Sequence, residues 1–243
     1  MTEWFERWFG EEYLALYPHR DEREAATALG LVHANLGGLE VRRALDLACG
    51  AGRHARLLRE RWPTTGFDLS LPLLTRARDA DPGGLYVRGD MRALPFVDHA
   101  FDLVVNLFTS FGYFDNDAQH LRVLAEVARV TRRGGKFVLD FLNPDYVRST
   151  LVPRESSSIG GRSIEIRREV SADDRFVVKT IASGGEGGAA EQTFVERVRL
   201  FDRLDLETML EESGFGVEQV LGDYAGAAYS DSSPRTIVFA IRE

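Results

Sequence analysis

The stretch Leu45-Asp46-Leu47-Ala48-Cys49-Gly50-Ala51-Gly52-Arg53-His54 places one carboxylate a few residues before two glycines. Residues 44–47 form a short apolar run, which reads as a strand delivering Asp46 to its carboxyl end. The glycine turn then opens a helix, and glycine there lets the backbone approach a bulky ligand closely. Ligands of open α/β sheets bind at that carboxyl edge. Twenty-two residues after Asp46, the next strand closes on Gly66-Phe67-Asp68. A carboxylate at that point can take both hydroxyls of a ribose. A third strand, residues 85–88, runs into Gly89-Asp90-Met91. Asp90 can accept a bond from an adenine amino group, and Met91 can cover the ring. The chemistry these residues suit is nucleoside binding.

The elements that must position them alternate. Residues 101–107 and 136–142 supply a fourth and a fifth apolar strand. Helical spacing follows the first strand (Ala55, Leu57, Leu58). Ser70 caps a helix to Arg78, and Asp117 caps a longer one ending at Gly134-Gly135. Strand and helix in alternation mean a parallel sheet covered on both faces. Residues 163–170, 175–182 and 192–201 break the rhythm with period-two alternation, and a glycine-rich stretch (184–188) separates the last two. They read as a three-stranded antiparallel flap. A helix over 204–213, capped by Gly214, and strands over 217–221 and 236–241 complete the sheet. Ahead of it all, Trp4/Trp8 and Phe5/Phe9/Tyr13/Tyr17 describe one face of a single helix over residues 3–17, stopped by Pro18. A second helix begins with a capping box, Asp21 and Glu24. The expected division is an N-terminal helical lid (1–38), a core (39–149 and 203–243) and a β insertion (150–202).

Composition narrows the function classes. The chain has 243 residues and a net charge of −8, which argues against a dominant nucleic-acid role. No apolar run approaches the roughly 18 residues that span a bilayer. One cysteine, Cys49, leaves no internal disulfide and no C-x-x-C metal site. Its neighbours supply no base, so a catalytic thiol is not expected. The five histidines show no H-x-x-x-H spacing, and no metal is expected. Neither a secretory signal nor a membrane contact is expected, and the expected compartment is the cytoplasm. A dinucleotide cofactor would need a third glycine in the turn, which is absent.

In order, LDLACGAG, GFDLS, GDMRALPF, FDLVVNLF and GGKFVLD resemble the motifs of the class I S-adenosylmethionine-dependent methyltransferases, over most of residues 40–142. The resemblance implies a doubly wound, seven-stranded, mostly parallel Rossmann-like sheet carrying the β insertion and the helical lid. It implies S-adenosylmethionine as cofactor and S-adenosylhomocysteine as product. Gly50 and Gly52 would then line the methionine portion with Asp46 helping to fix it, Asp68 would hold the ribose, and Asp90 with Met91 the adenine; Ala48, Leu69 and Asn106 would complete the cofactor site. Arg53 and His54 stand where the commonest motif form has its third glycine.

Methyl transfer from a sulfonium is an in-line displacement in which the protein mainly positions and desolvates the acceptor. No catalytic base is therefore announced by the sequence. Acceptor-site candidates lie beyond strands four and five (Phe111, Tyr113, Asn143), in the lid (Tyr13, Tyr17) and before the last strand (Arg235). Trp4, Phe5 and Trp8 read as residues that dock the lid. The expected partner is a small-molecule acceptor, without nucleic acid, in a monomer or homodimer. An RNA-modifying enzyme would instead need a positive surface, for which Arg129, Arg132, Arg133 and Lys136 are the best cluster. A non-catalytic S-adenosylmethionine-binding regulator would keep Asp68 and the glycine turn but block the acceptor pocket.

Overall fold

The computed structural model describes residues 3–16, 22–159, 162–184 and 192–243. Five strands come first: β1 (Ala44–Leu47), β2 (Thr64–Asp68), β3 (Leu85–Arg88), β4 (Phe101–Asn106) and β5 (Thr131–Leu142). The insertion supplies β6 (Arg154–Ile159), β7 (Arg162–Val170), β8 (Phe176–Ser183) and β9 (Gln192–Arg199). Then follow β10 (Phe215–Leu221) and β11 (Arg235–Arg242). The central sheet has the order β10-β11-β5-β4-β1-β2-β3. The pairs from β3 to β5 are parallel, and β11 runs antiparallel between β5 and β10. Chain order reverses between β1 and β4, and this crevice is where open α/β sheets bind ligands.

Both faces are covered. On β4, Val104 joins an apolar cluster with Val127, Phe137 and Leu210, while Leu103 and Val105 join another with Leu31, Val138 and Phe239. The first face packs α6 (Asp117–Val130) and α8 (Arg203–Glu212); the second packs α3 (Glu22–Ala34) and α4 (Arg53–Arg59). Strands buried on both faces read as near-continuous apolar runs, as the fully buried β1 and β4 do apart from Asp46, Asp102 and Asn106. Helix α3 therefore belongs to the sheet's covering layer, although the sequence groups it with the lid.

Local chemistry accounts for several ends. Ser70 Oγ accepts from the Leu73 amide and caps α5 (Leu71–Ala80). Asn116, not Asp117, caps α6. That helix stops at Val130 and passes directly into β5, because the Gly134-Gly135 pair lies within the strand rather than after the helix. Asn143 caps α7 (Pro144–Thr150), a helix too short to show periodicity.

Two further expectations change. The helix expected over residues 3–17 is divided, among the described residues, into α1 (Trp4–Trp8) and α2 (Glu11–Leu16). The Gly10 amide turns back to the Trp8 carbonyl, which breaks the helical ladder. The flap has four strands in the order β6-β7-β8-β9 rather than three. Its extra strand reads Arg-Glu-Ser-Ser-Ser-Ile and has no apolar alternation, because its side chains are exposed where they are described. Tyr17, the Asp21 cap and most of the glycine-rich stretch (185–188) lie outside the described residues.

The flap and the core grip α1 and α2 between them. Trp8 is fully buried against Phe194 of β9, with ring centroids 4.7 Å apart, and its Nε1 donates to Glu196 at 2.5 Å. Trp4 donates to the Tyr113 carbonyl and packs edge-on against the Tyr113 ring.

Candidate active site

A cavity of about 1120 Å³ opens at the carboxyl ends of β1, β2 and β3. Asp68 lies at its floor. One carboxylate oxygen accepts from the Gly50 amide and the other from the Ser70 amide, each at 2.8 Å. These bonds tie the glycine turn to β2, and a carboxylate retains further lone pairs for a ligand. Burial pushes the Asp68 pKa up, and the amides of Ser70 and Gly50 oppose that rise. Ala48, Gly50, Leu69, Asp90 and Met91 line the same cavity, as do Tyr13 and Tyr113.

The two glycines of the turn do different things. Both have positive φ, +54° at Gly50 and +76° at Gly52. A Cβ on Gly50 would meet nothing closer than Leu73 Cδ1 at 3.9 Å, so this glycine keeps the cavity open. A Cβ on Gly52 would stand 2.7 Å from Tyr86 Oη and 2.9 Å from Ala77 Cβ. Gly52 does not line the cavity; it lets the turn close on β3 and α5.

Asp46 and Asn106 lie beneath the turn rather than in the cavity wall. Asp46 is 1% exposed, and burial raises its pKa to about 8 against the pull of the Ala55 amide. Its Oδ2 has no hydrogen-bond partner, and neither has Oδ1 of Asn106, whose Nδ2 donates to the Leu47 carbonyl at 2.9 Å. Asp90 is gripped by Arg92, which donates to both carboxylate oxygens at 2.6–3.0 Å. Burial pushes the Asp90 pKa up, but those bonds and the Arg92 charge bring it below the usual carboxylate value. Arg92 also pairs with Glu3 and lies over the Phe114 ring, so the Asp90 carboxylate is joined to the residue that precedes α1.

A second cavity, of about 800 Å³, lies between α7, the flap and the end of β5. Phe9, Phe108 and Tyr113 line both cavities. Phe9 and Tyr113 stack at 5.5 Å, and Phe108 lies under the Arg53 guanidinium at 4.1 Å. Phe108 and Thr109 both adopt positive φ, +61° and +59°, without being glycine. Such a conformation persists only where its surroundings over-determine it. Here Asp140, fully buried at the end of β5, accepts from the Phe108 amide at 2.8 Å and from Tyr224 Oη at 2.5 Å. Arg235 pairs with the other oxygen of Asp140 and donates to Thr109 Oγ1 at 3.0 Å. Burial and the Asp140 charge push the Tyr224 pKa far up, so the phenol stays a donor.

The acceptor candidates separate accordingly. Arg235 and Tyr113 line the second cavity, and Tyr13 the first. Phe111 is 2% exposed and packs against His120, Phe141 and Phe201 in the core. Asn143 is fully buried, and its amide donates to the carbonyls of Ser230, Asp231 and Ser233. Neither lines either of these two cavities, because the Phe111 side chain packs into the core and Asn143 is spent anchoring the tail loop. Sequence reasoning missed Asp140, Arg92 and Thr109. It also missed the flap residues Glu155, Arg168, Lys179 and Glu196, which line the second cavity. An aspartate inside an otherwise apolar strand was the available signal for Asp140, since buried carboxylates are rare unless paired.

The comparisons with known proteins agree with this architecture. Residues 44–135 match a family model described as a methyltransferase domain. The chain is 39% identical over 112 residues to a demethylmenaquinone methyltransferase of Thermotoga maritima, covering 44% of this chain and 47% of that protein. It thus spans about half the length of that relative. It is 28% identical over 211 residues to a dTDP-3-amino-3,6-dideoxy-alpha-D-glucopyranose N,N-dimethyltransferase of Streptomyces fradiae, covering 84% of this chain and 81% of that protein. The solved structure of an S-adenosylmethionine-bound amino pentose methyltransferase from Micromonospora echinaspora shares the fold. Its TM-score is 0.69 at 23% identity, over 96% of this chain and 97% of that one. The sheet order and the family match together describe an α/β fold whose residues 44–135 resemble a methyltransferase domain. The chain as a whole shares the fold of solved S-adenosylmethionine-dependent methyltransferases.

Proposed function

We propose that this chain is an enzyme that transfers the methyl group of S-adenosylmethionine to a small-molecule acceptor. The observation that carries the reading is the pair of cavities meeting at one aromatic wall, with Asp68 and the open Gly50 turn at the base of the first. The residues fit the cofactor: the orphaned polar atoms of Asp46 and Asn106 lie just below the turn, and the space above Gly50 is what a side chain there would fill. Asp68 would hold the ribose, Asp90 and Met91 the adenine, and the Gly50 turn the methionine portion. When bound, the cofactor supplies an activated methyl on a good leaving group.

The chain's own work is then positioning and exclusion of water. Orientation of this kind supplies roughly 7–11 kcal/mol of a barrier. The faces of Phe9, Phe108 and Tyr113 carry negative quadrupole charge and attract a cationic centre, by about 1–2 kcal/mol when desolvated. The acceptor would occupy the second cavity, roofed by the flap. A small acceptor is favoured over RNA because the basic cluster lies at the opposite edge of the sheet and is engaged there. Arg129 pairs with Glu126 and Asp98, Arg132 with Asp102, and Lys136 with Glu218. A cytoplasmic setting is part of the proposal, since the single cysteine is buried.

Calorimetric titration with S-adenosylmethionine and S-adenosylhomocysteine tests the reading. Both should bind the native chain. Asp68→Ala should weaken each at least tenfold, because a hydrogen bond to a charged group contributes roughly 1.5–3 kcal/mol. Absence of binding to the native chain would refute the cofactor assignment, and unchanged binding to Asp68→Ala would refute the ribose assignment.

A further inference from the structure

The sheet that roofs the second cavity carries one row of charge across its four strands. Arg168 of β7 lies directly opposite Lys179 of β8, and Lys179 lies directly opposite Glu196 of β9. Glu155 of β6 reaches Arg168 from the far side, at 2.8 Å. The order is thus Glu, Arg, Lys, Glu, and all four side chains line the cavity. Two like charges directly opposite each other on one sheet face destabilise it, so the central pair is unfavourable as it stands. Each of the two cations also pairs with a flanking carboxylate, Arg168 with Glu155 and Lys179 with Glu196. Glu155 takes Arg168 through Nη2 alone, and Glu155 is itself half exposed. Glu196 meets Lys179 at 3.1 Å with one oxygen, while its other oxygen is held by Trp8.

Arg235 also lines the cavity, but its guanidinium is paired with the buried Asp140, so Arg168 and Lys179 are the cations of this wall outside that pair. The Arg168 and Lys179 side chains are 26% and 19% exposed, so little water screens them. Leu142, Val147, Val177 and Val198 add apolar surface to the same cavity.

We infer that the second cavity binds an acceptor whose non-reacting end is an anion, a phosphate or a carboxylate, seated on Arg168 and Lys179. The reacting end would then face the wall of Phe9, Phe108 and Tyr113. A guanidinium offers a planar fork to such a group and an ammonium a point charge, and an anion between them relieves their repulsion. The inference rests on the methyltransferase reading and names the acceptor's chemical class.

The test is calorimetric titration of the full chain with inorganic pyrophosphate and, separately, malonate, in the presence and absence of saturating S-adenosylhomocysteine. One anion at least should bind, more weakly as salt is raised. The R168Q/K179Q variant should lose tenfold or more of that affinity while its S-adenosylhomocysteine affinity stays unchanged. R167Q, on the opposite face of β7, should bind the anion as the native chain does. Should the double variant fold poorly, R168Q alone should lose severalfold, and pyrophosphate or malonate should raise the unfolding temperature of the native chain but not of R168Q. Preference for pyrophosphate or malonate separates a phosphate-bearing acceptor from a carboxylate. Binding of neither anion, or equal binding to R168Q/K179Q, overturns the inference. Failure of S-adenosylhomocysteine to bind would instead strike the cofactor reading, and the titrations without it would still decide the anion site.

Discussion

Replacing the two turn glycines one at a time should separate a packing role from a binding role. Alanine at Gly52 must adopt φ +76°, which costs about 1–2 kcal/mol outside glycine. Its Cβ must also displace Tyr86 Oη at 2.7 Å and Ala77 Cβ at 2.9 Å. The Ala77 contact is with a buried helix that cannot swing aside, and overpacking of this kind adds about 1–3 kcal/mol. Gly52→Ala should therefore lose about 2–5 kcal/mol. Gly50→Ala bears only the backbone cost, about 1–2 kcal/mol, since its Cβ enters open space. Urea unfolding of both variants at one temperature measures the difference. Ligand binding should show the reverse order: Gly50→Ala should weaken S-adenosylhomocysteine more than Gly52→Ala does, because only Gly50 lines the cavity. Equal destabilisation by the two substitutions would refute the division of roles.

Two further outcomes follow from buried groups. Tyr224→Phe removes a donor from the buried Asp140 carboxylate and should cost about 1.5–3 kcal/mol in urea unfolding. The amides of Phe108 and Thr109 should then exchange hydrogen faster than those of β1; exchange unchanged at both positions would mean that Asp140 does not hold that turn. Asp46 carries a raised pKa, about 8 in the folded chain, against the usual value near 4 when unfolded. Between about pH 4 and pH 8 the folded chain keeps a proton that the unfolded chain releases, so this group's contribution to stability falls as pH rises, by up to about 1.4 kcal/mol per pH unit. Asp46→Asn should remove that slope, and stability curves of identical slope for the two proteins would contradict the assignment.

What could be read early and what could not divides by the range of the interaction. Ser70 as a cap and the apolar strands β1 and β4 depend on neighbours within a few residues. The helix expected over residues 3–17 was wrong in its continuity, because Gly10 and the docking of Trp8 on the flap override its periodicity. Strand β6 was invisible because its pairing with β7 needs no apolar face of its own. Phe111 and Asn143 occupy the expected loops, yet their side chains turn to the core and to the tail.

By itself the sequence determined the alternation of strand and helix, the carboxylates at the ends of β1 and β2, and the glycine turn between them. Those features are local: hydrophobic period, turn chemistry and spacing along one chain. Tertiary structure alone decided which glycine faces the cavity and which faces Tyr86, and that Asp90 is already gripped by Arg92. It also joined Asp140, Tyr224 and Arg235 around Phe108, and aligned Arg168 with Lys179 over a second cavity. Each of these depends on strand register or on contacts across many residues, and side-chain direction is fixed only once the sheets have paired.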